Sequence, residues 1–220
     1  MPDSSFNLPP QHGLLLVVSG PSAVGKDTVL DALLGASNLP HSILKCVTAT
    51  TRAPRPKEGG RSMEVDGLDY HFVSTAKFHA MVASGEMLEY AHVHGNWYGT
   101  PRTWVEERLK EGTDVILKID VQGGESVREH SPEAILIFLQ PPSLEELERR
   151  LRQRRTESEE AMAERLLNAR SELAHRRDYD YAITNDEVEQ AVDGIRAIIV
   201  AEHARIRKPS ETPRKAASDG

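Results

Sequence analysis

Hydrophobic and polar residues alternate in blocks along this chain, and the blocks predict strands and helices in turn. Residues 14–18 are five apolar residues bounded by polar ones, which fits a strand buried on both faces of a parallel sheet. After them, Val29, Leu30, Leu33 and Leu34 recur at the spacing of one helical face. Because apolar runs and helical patterns continue to alternate, the sequence predicts an α/β domain whose parallel sheet is covered on both faces.

The same patterns place the remaining elements. Predicted strands cover residues 14–19, about 43–48, 87–93, 115–120, 134–139 and 181–184. Predicted helices cover residues 26–34, 75–84, 103–111, 122–130, 143–154, 158–177 and 187–206. Residues 49–74 are expected to be rich in loops. Residues 1–12 and 208–220 have little to bury, so we expect a flexible leader and a flexible tail around one domain, residues 13–207.

The turn after the first strand reads GPSAVGK, from Gly20 to Lys26, and has the G-x4-G-K spacing of a phosphate-binding loop. In such a loop, backbone N–H groups surround a phosphate, a lysine reaches its oxygens and a helix N-terminus faces it. A glycine-rich turn that binds nothing is the alternative. The strict pattern has Ser or Thr after the lysine, whereas this chain has Asp27 followed by Thr28. Either side chain could supply an oxygen to Mg2+; alternatively, Asp27 simply favours the first turn of a helix.

Length and charge narrow the possible functions. The 220 residues suffice for one well-cored α/β domain with inserted regions and are few for two independent domains. A formal net charge of −7 argues against a general nucleic-acid surface, so an anion must be met by local arginine clusters. The single cysteine, Cys46, excludes a disulfide framework and a multi-cysteine metal site. The N-terminal residues lack the features of a secretory signal, and residues 14–18 are too few to span a membrane, so we expect a cytoplasmic protein.

Two arginines three residues apart, Arg52 and Arg55, lie between threonines and prolines. Restrained by these neighbours, the two guanidinium groups can bind a phosphate dianion together. Alternatively, this stretch is a solvated basic loop. Tyr70 and Tyr98 have rings that could simply pack. Gly99, next to Tyr98, suggests instead a close approach of the backbone to a ligand.

Taken together, these motifs resemble guanylate kinase, the ATP-dependent GMP kinase, from residue 14 to about residue 203. The matching stretches are SGPSAVGK, TTRAPR, GLDYHFV, GEMLEYAHVHGNWYG, IDVQG, FLQPPS, RRLRQRRTESEEAMAERL and ITND. The resemblance implies a three-layer P-loop kinase fold with a parallel core sheet, an inserted mixed-sheet GMP-binding region and a helical lid. It implies a core of residues 13–47, 102–149 and 176–207, a GMP-binding region of residues 48–101 and a lid of residues 150–175.

The resemblance also implies which residues act. The implied GMP-binding residues are Thr48, Arg52, Arg55, Tyr70, Glu89, Tyr98, Thr100 and Asp120, with Glu89 reading the guanine. The implied ATP-binding residues are Gly20, Pro21, Ser22, Ala23, Val24, Gly25, Lys26, Asp27, Thr28 and Asn185. The implied catalytic residues are Lys26, Arg52, Arg150, Arg154 and Arg165. By helical spacing, Arg149 and Arg152 are instead expected to pair with glutamates on a solvated face.

The implied reaction is ATP + GMP = ADP + GDP, in purine nucleotide metabolism and GMP recycling, with dGMP as a second acceptor and Mg2+ held with ATP. We expect no nucleic-acid or membrane partner, and a monomer or a homodimer. One alternative is a guanylate-kinase-like scaffold domain that binds phosphopeptides without catalysis. Another is a P-loop kinase that acts on a different nucleoside monophosphate.

Three departures from the family pattern lead to expectations about the structure. Ala23 replaces a usual glycine, which requires a negative φ at that position. Lys118 stands where an acidic residue is common, two residues before Asp120, which puts metal or ribose contact through that position in doubt. Residues 59–64, GGRSME, look like an insertion that should bulge from the GMP-binding region.

Overall fold

A computed structural model describes residues 12–36, 39, 41–56, 62–93, 95–153 and 159–206. Its strands are β1 Leu15–Ser19, β2 Ile43–Lys45, β3 Ala49–Thr50, β4 His71–Phe72, β5 Met87–Val93, β6 Asn96–Pro101, β7 Asp114–Lys118, β8 Ile135–Gln140 and β9 Tyr181–Thr184. Its helices are α1 Lys26–Gly35, α2 Thr75–Ala83, α3 Arg102–Lys110, α4 Val121–His130, α5 Leu144–Gln153, α6 Glu159–Ala174 and α7 Val188–Ala204, with a 3-10 helix over His175–Asp178. The predicted leader and tail fall almost entirely outside the described residues.

The core sheet has the order β2-β7-β1-β8-β9, and every neighbouring pair is parallel. The central strand β1 is apolar from Leu15 to Val18, so these residues can be buried from both sides. Leu16 and Val18 pack in a cluster with residues of α1 and α7, whereas Val17 packs on the opposite face with residues of α3 and α4. The predicted α/β fold with a parallel sheet covered on both faces is therefore confirmed.

A second sheet has the order β4-β3-β6-β5 and is mixed, since β3 pairs parallel with β4 and antiparallel with β6. Helix α2 closes one face of this sheet with Phe78, which packs against Ala49 and Met87. Helices α5 and α6 pack on each other through Leu147, Leu151 and Ala169. The mixed-sheet insertion and the helical pair match the architecture that the family resemblance implied.

The main differences from the predicted elements lie where the chain leaves one sheet for the other. The second predicted strand ends at Lys45 instead of residue 48, because the chain then crosses to β3 in the second sheet. Strands β3, β4 and β6 were not predicted. None of the helices in the described part of the chain combines the length and hydropathy that a membrane span requires.

Candidate active site

The turn between β1 and α1 has the backbone shape that its glycines predicted. A Cβ on Gly20 would lie 2.1 Å from the carbonyl oxygen of Leu139, so only glycine fits there. Gly25 has φ 93 and immediately precedes α1, which has no side-chain cap. The first N–H groups of α1, which begins at Lys26, are therefore suited to an anion.

The expectation of a negative φ at Ala23 was wrong. Ala23 has φ 63, in the left-handed region, which costs an alanine about 1 kcal/mol. Its methyl group packs against the apolar cluster that joins α5 to α6, including Leu147 and Ala169. This burial offsets part of the backbone cost, since a buried CH2-sized group contributes about 0.8 kcal/mol.

Lys26 lies folded against the loop that carries it. Its Nζ donates hydrogen bonds to the carbonyl oxygens of Gly20, at 2.5 Å, and Pro21, at 3.1 Å. Burial lowers the pKa of Lys26 to about 8, although the carboxylates of Glu172, Asp27 and Asp120 act in the opposite direction. A phosphate at the loop would replace the two carbonyls and raise the pKa of Lys26 again, because a nearby negative charge favours the ammonium form.

Asp27, the residue at the departure from the loop pattern, is paired with Lys118. The Nζ of Lys118 donates to Oδ1 of Asp27 at 2.5 Å. Burial tends to raise the pKa of Asp27, but the charge and hydrogen bond of Lys118 outweigh burial and lower it, so the carboxylate is ionised. The same Nζ lies 5.5 Å from the centre of the Tyr70 ring. Lys118 thus links the phosphate-binding loop to the predicted GMP-binding region, in place of the acidic residue that is common there.

Glu89 and Thr100 face each other across β5 and β6. The Oγ1 of Thr100 donates to Oε1 of Glu89 at 2.5 Å, and Glu89 is only 4% exposed. Burial raises the pKa of Glu89 to about 7; the Thr100 hydrogen bond opposes this shift and the charge of Asp120 adds to it. Thr48, the other hydroxyl predicted beside the guanine, is also buried, just before β3. The pocket thus holds a carboxylate that a ligand with two hydrogen-bond donors would stabilise in its ionised form.

Asp120 lies between the two predicted nucleotide sites. As the N-cap of α4, it accepts a hydrogen bond at Oδ1 from the backbone N–H of Gly123 at 2.9 Å. Its carbonyl oxygen accepts a bond at 3.3 Å from Oγ of Ser19, the last residue of β1. A Cβ on Gly123 would lie 2.9 Å from Oε2 of Glu89. The carboxyl ends of β1 and β7 therefore bring both sites to one edge of the core sheet, where ligands of open α/β sheets bind.

The two predicted phosphate-gripping arginines differ in environment. Arg52 is 8% exposed, and its guanidinium carbon lies 5.2 Å from the centre of the Tyr70 ring. The Tyr70 and Tyr98 rings are 6.1 Å apart, so both tyrosines lie beside this arginine. Both Nη atoms of Arg52 donate to the carboxylate of Glu64 at 2.8 Å. The side chain of Arg55, by contrast, is exposed.

Asn185 lies against the phosphate-binding loop. The Nδ2 of Asn185 donates to the carbonyl oxygen of Val24 at 2.8 Å. Its Oδ1 is buried and, among the described residues, has no hydrogen-bond partner, which suits an incoming amino group. Arg150 donates from Nη1 to the carbonyl oxygen of Asn185 at 3.1 Å and from Nε to Glu146 at 2.7 Å. Asn185 and Arg150 are therefore brought together beside the loop.

Helix α6 contacts the phosphate-binding loop with one negatively charged and one positively charged side chain. The backbone N–H of Ser22 donates to Oε2 of Glu172 at 3.2 Å, and Nη2 of Arg165 lies 3.3 Å from Oγ of Ser22. A carboxylate of the chain itself thus occupies a loop N–H that a phosphate would use.

Two of the three remaining arginines among residues 149–154 form the contacts that the sequence predicted. Arg149 pairs with Glu146 and Arg152 with Glu148, which confirms that these two lie on a charged helix face. Arg154 lies outside the described residues.

Comparison with known proteins agrees with these motifs. A family model described as guanylate kinase matches residues 12–202. The guanylate kinase of Lactobacillus acidophilus is 47% identical over 203 residues, 92% of this chain and 96% of that protein. That of Streptococcus thermophilus is 47% identical over 198 residues, 90% of this chain and 91% of that protein. The chain belongs to the guanylate kinase family. A crystal structure of guanylate kinase from Anaplasma phagocytophilum matches with a TM-score of 0.72 at 35% identity, covering 89% of this chain and 88% of that one.

Three contacts of this guanylate kinase family member were not anticipated from the sequence. They are the hydrogen bonds between Glu64 and Arg52, between Glu172 and Ser22, and between Lys118 and Asp27. No local pattern of the sequence connects the two residues of any of these pairs. A search for carboxylates near the arginine motif would have found Glu64, but that residue was assigned to an insertion. Glu64, the last residue of the expected insertion 59–64, turns back onto Arg52; residues 59–61 lie outside the described residues, so the expected bulge stays a prediction.

Proposed function

We propose that this chain transfers the γ-phosphoryl group of ATP to GMP, forming ADP and GDP, and that dGMP is a second acceptor. Membership of the guanylate kinase family supports this reaction. The observation that carries it in this chain is the buried carboxylate of Glu89 near Asp120, which Ser19, immediately before the phosphate-binding loop, contacts. The three-part division into core, GMP-binding region and lid rests on the same likeness, as do the monomeric or homodimeric state and the cytoplasmic location, which stay predictions.

Glu89 is proposed to read the guanine base. Its two oxygens can accept hydrogen bonds from the ring N1–H and the exocyclic amino group, which adjoin each other on guanine. Adenine would place a lone pair against the same buried carboxylate, and sites built on such pairing can discriminate by about 10⁴-fold. Thr48 and Thr100 add hydroxyls beside the base, and Asp120 is proposed to lie near the ribose.

The phosphates are proposed to meet at the edge between the loop and Arg52. Arg52, Arg55, Tyr70 and Tyr98 would hold the GMP phosphate, while loop residues 20–28 and Lys26 would hold those of ATP. The unpaired Oδ1 of Asn185 would accept a hydrogen bond from the adenine amino group. Arg150 and Arg165 would approach the transferring group, since phosphoryl transfer is accelerated mainly by positioning and charge neutralisation.

Mg2+ is proposed as the cofactor that accompanies ATP. The residues present fit this ion, because Asp27 is ionised and Thr28 offers a hydroxyl in the same helical turn. Among the described residues no three metal-ligating side chains come together, and Mg2+ in kinases is held largely by substrate phosphates with one or two protein oxygens. Bound there, the ion would neutralise charge on the ATP phosphates.

Turnover with an acceptor panel tests the proposed function. ATP is supplied with GMP, dGMP, AMP, UMP or dTMP in turn, and ATP alone measures hydrolysis. GMP is expected to be the preferred ribonucleotide. Turnover with none of the acceptors would favour the phosphopeptide-binding scaffold instead, and preference for another nucleotide would favour a different monophosphate kinase.

Lys26→Ala tests the phosphate-binding loop. The variant is expected to lose at least about a hundredfold in kcat with little change in GMP binding, because a charged contact in the transition state is worth several kcal/mol. Single-turnover kinetics and GMP titration measure the two effects. A kcat within about twofold of the wild type would contradict the loop assignment.

A further inference from the structure

The carboxylate of Glu64 binds the two terminal nitrogen atoms of the Arg52 guanidinium group. Nη1 of Arg52 donates to Oε2 of Glu64 and Nη2 donates to Oε1, both at 2.8 Å, which is the bidentate arrangement of a strong ion pair. The Glu64 side chain is 17% exposed and that of Arg52 is 8% exposed. Burial tends to raise the pKa of Glu64, but the hydrogen bonds from Arg52 and Arg55 lower it, so the carboxylate is ionised.

Glu64 is itself fixed by the backbone of Arg55. Its Oε2 accepts a hydrogen bond at 2.7 Å from the N–H of Arg55, and its own N–H donates to the carbonyl oxygen of Arg55 at 2.9 Å. Pro56 and Met63 form an antiparallel bridge immediately outside this contact. The carboxylate of Glu64 thus connects the side chain of Arg52 to the main chain of Arg55, and both arginines are proposed to bind the GMP phosphate.

The donors of Arg52 that remain define a second binding edge. A guanidinium has five N–H donors. Glu64 takes one from each Nη atom, and the carbonyl oxygen of Ala53 takes another from Nη1, at 2.8 Å. The Nε–H and one Nη2–H lie side by side on the opposite edge, in the fork geometry that fits a phosphate. Burial tends to lower the pKa of Arg52, but Glu64 and then Tyr98 raise it; Tyr98 is also a hydrogen-bond partner of Arg52, so GMP and the Tyr98 hydroxyl would share these remaining donors.

We propose that Glu64 is a positioning residue for the acceptor phosphate: it grips the end of the Arg52 guanidinium so that the Nε edge is presented to GMP. This inference rests on the proposed function. The competing role is that Glu64 occupies the phosphate position in the absence of nucleotide and must leave. The geometry favours positioning, because departure would break three hydrogen bonds to a carboxylate anchored by the backbone.

Glu64→Gln distinguishes the roles by the sign of its effect. If Glu64 positions Arg52, the Kd for GMP should rise at least about tenfold, since charge-assisted bidentate contacts are worth more than 1.4 kcal/mol. If Glu64 is a competitor, removing its charge should tighten GMP binding. Guanosine, which lacks the phosphate, should bind within about twofold of its wild-type affinity, and the KM for ATP should also stay within about twofold. Calorimetric titration with GMP and guanosine provides the measurement.

Glu86→Gln is the matched control, because Glu86 is an exposed carboxylate of the same region that accepts a hydrogen bond from Ser84. It should leave GMP affinity unchanged. In an Arg52→Lys background, Glu64→Gln should change GMP affinity by less than about twofold. The lysine ammonium group lacks the two separate donor edges of a guanidinium, so it cannot bind Glu64 with one edge and GMP with the other.

Unchanged or tighter GMP binding by Glu64→Gln would overturn the inference, and so would an equal loss for guanosine, which indicates collapse of the region. Failure of the wild type to phosphorylate GMP would overturn the proposed function instead.

Discussion

At the scale of single residues, the ionised form of Glu89 is costly for stability but is the form that the proposed recognition of guanine requires. A carboxylate that is 4% exposed is costly to ionise, and its pKa is raised by burial to about 7. Thr100 supplies one hydrogen bond, which limits the shift without abolishing it. Guanine would supply two further donors, so the ligand completes a site that the protein leaves partly unsatisfied.

The affinity for guanine is therefore expected to depend on pH. Only ionised Glu89 can accept both guanine donors, and with a pKa of about 7 the apparent Kd for guanosine should rise about tenfold from pH 8 to pH 6. Guanosine is used because it has no phosphate to titrate in this range. Titration of Glu89→Gln is the control, and its weaker binding should not vary with pH. A pH-independent Kd for the wild type would contradict the raised pKa.

The same residue is expected to reduce stability at alkaline pH. The folded-state pKa of about 7 exceeds the ordinary glutamate pKa of 4.5, so ionisation destabilises the fold progressively above pH 4.5 and fully above pH 7. Glu89→Gln should therefore gain about 2–3 kcal/mol more in unfolding free energy at pH 8 than at pH 5. Urea denaturation at the two pH values measures the difference. An equal effect at both would mean that Glu89 ionises freely in the folded state.

At the scale of elements, the loop that follows β3 gives its two arginines different surroundings. The N–H of Arg52 donates to Oγ1 of Thr50 at 3.2 Å, which holds it at the end of the strand, and its side chain is buried among Glu64, Tyr70 and Phe72. Arg55 lies beyond the turn with an exposed side chain. Spacing alone suggested two equivalent arginines, but only the Arg52 side chain is buried and paired near the strand end.

Lysine is thus expected to replace Arg55 better than Arg52. Arg52→Lys should raise the KM for GMP at least about thirtyfold, because lysine cannot make the planar two-sided contact. Arg55→Lys should change it by less than about fivefold, since an exposed contact depends mainly on charge. Steady-state kinetics with GMP varied, and then with ATP varied, would show whether the loss is confined to GMP. Equal losses in the two variants would indicate that both arginines act by charge alone.

At the scale of the whole molecule, three parts meet at the carboxyl edge of the core sheet. Ser19 at the end of β1 donates to the carbonyl oxygen of Asp120 after β7, and Lys118 extends toward Tyr70 in the proposed GMP-binding region. Helix α6 contributes Glu172 and Arg165 to Ser22, and the α5–α6 cluster packs on Ala23. If ATP binds at this loop as proposed, its phosphates would displace the contact between Glu172 and the N–H of Ser22.

Glu172→Gln is expected to make it easier for the ATP phosphates to displace residue 172 from the N–H of Ser22. A neutral amide binds the Ser22 N–H less strongly than a carboxylate and does not repel phosphate, so the KM for ATP should fall about threefold to tenfold. The KM for GMP should not change. Glu164→Gln, an exposed position on the same helix, is the control. A higher KM for ATP in Glu172→Gln would show that the carboxylate supports the nucleotide-bound form.

The sequence by itself determined the features that depend on neighbouring residues. Strand β1, the phosphate-binding loop and α1 follow from one continuous stretch, because the loop spacing and the two hydrophobic periods are local properties. The core strands and the α-helices found among the described residues were predicted for the same reason, with ends that differ by a few residues. The family motifs also identified Glu89, Thr100 and Asp120, which the fold brings together.

Only the tertiary structure decided the contacts between distant residues. Strands β3 and β4 have two residues each, too few for a period, so they exist only through their partners. The positive φ of Ala23 reflects closure of the loop against α5 and α6. Lys118 meets Asp27 across 91 positions and Glu172 meets Ser22 across 150. No local pattern predicts such pairs, because a charged side chain is equally compatible with solvent until the fold places an opposite charge or an N–H group beside it.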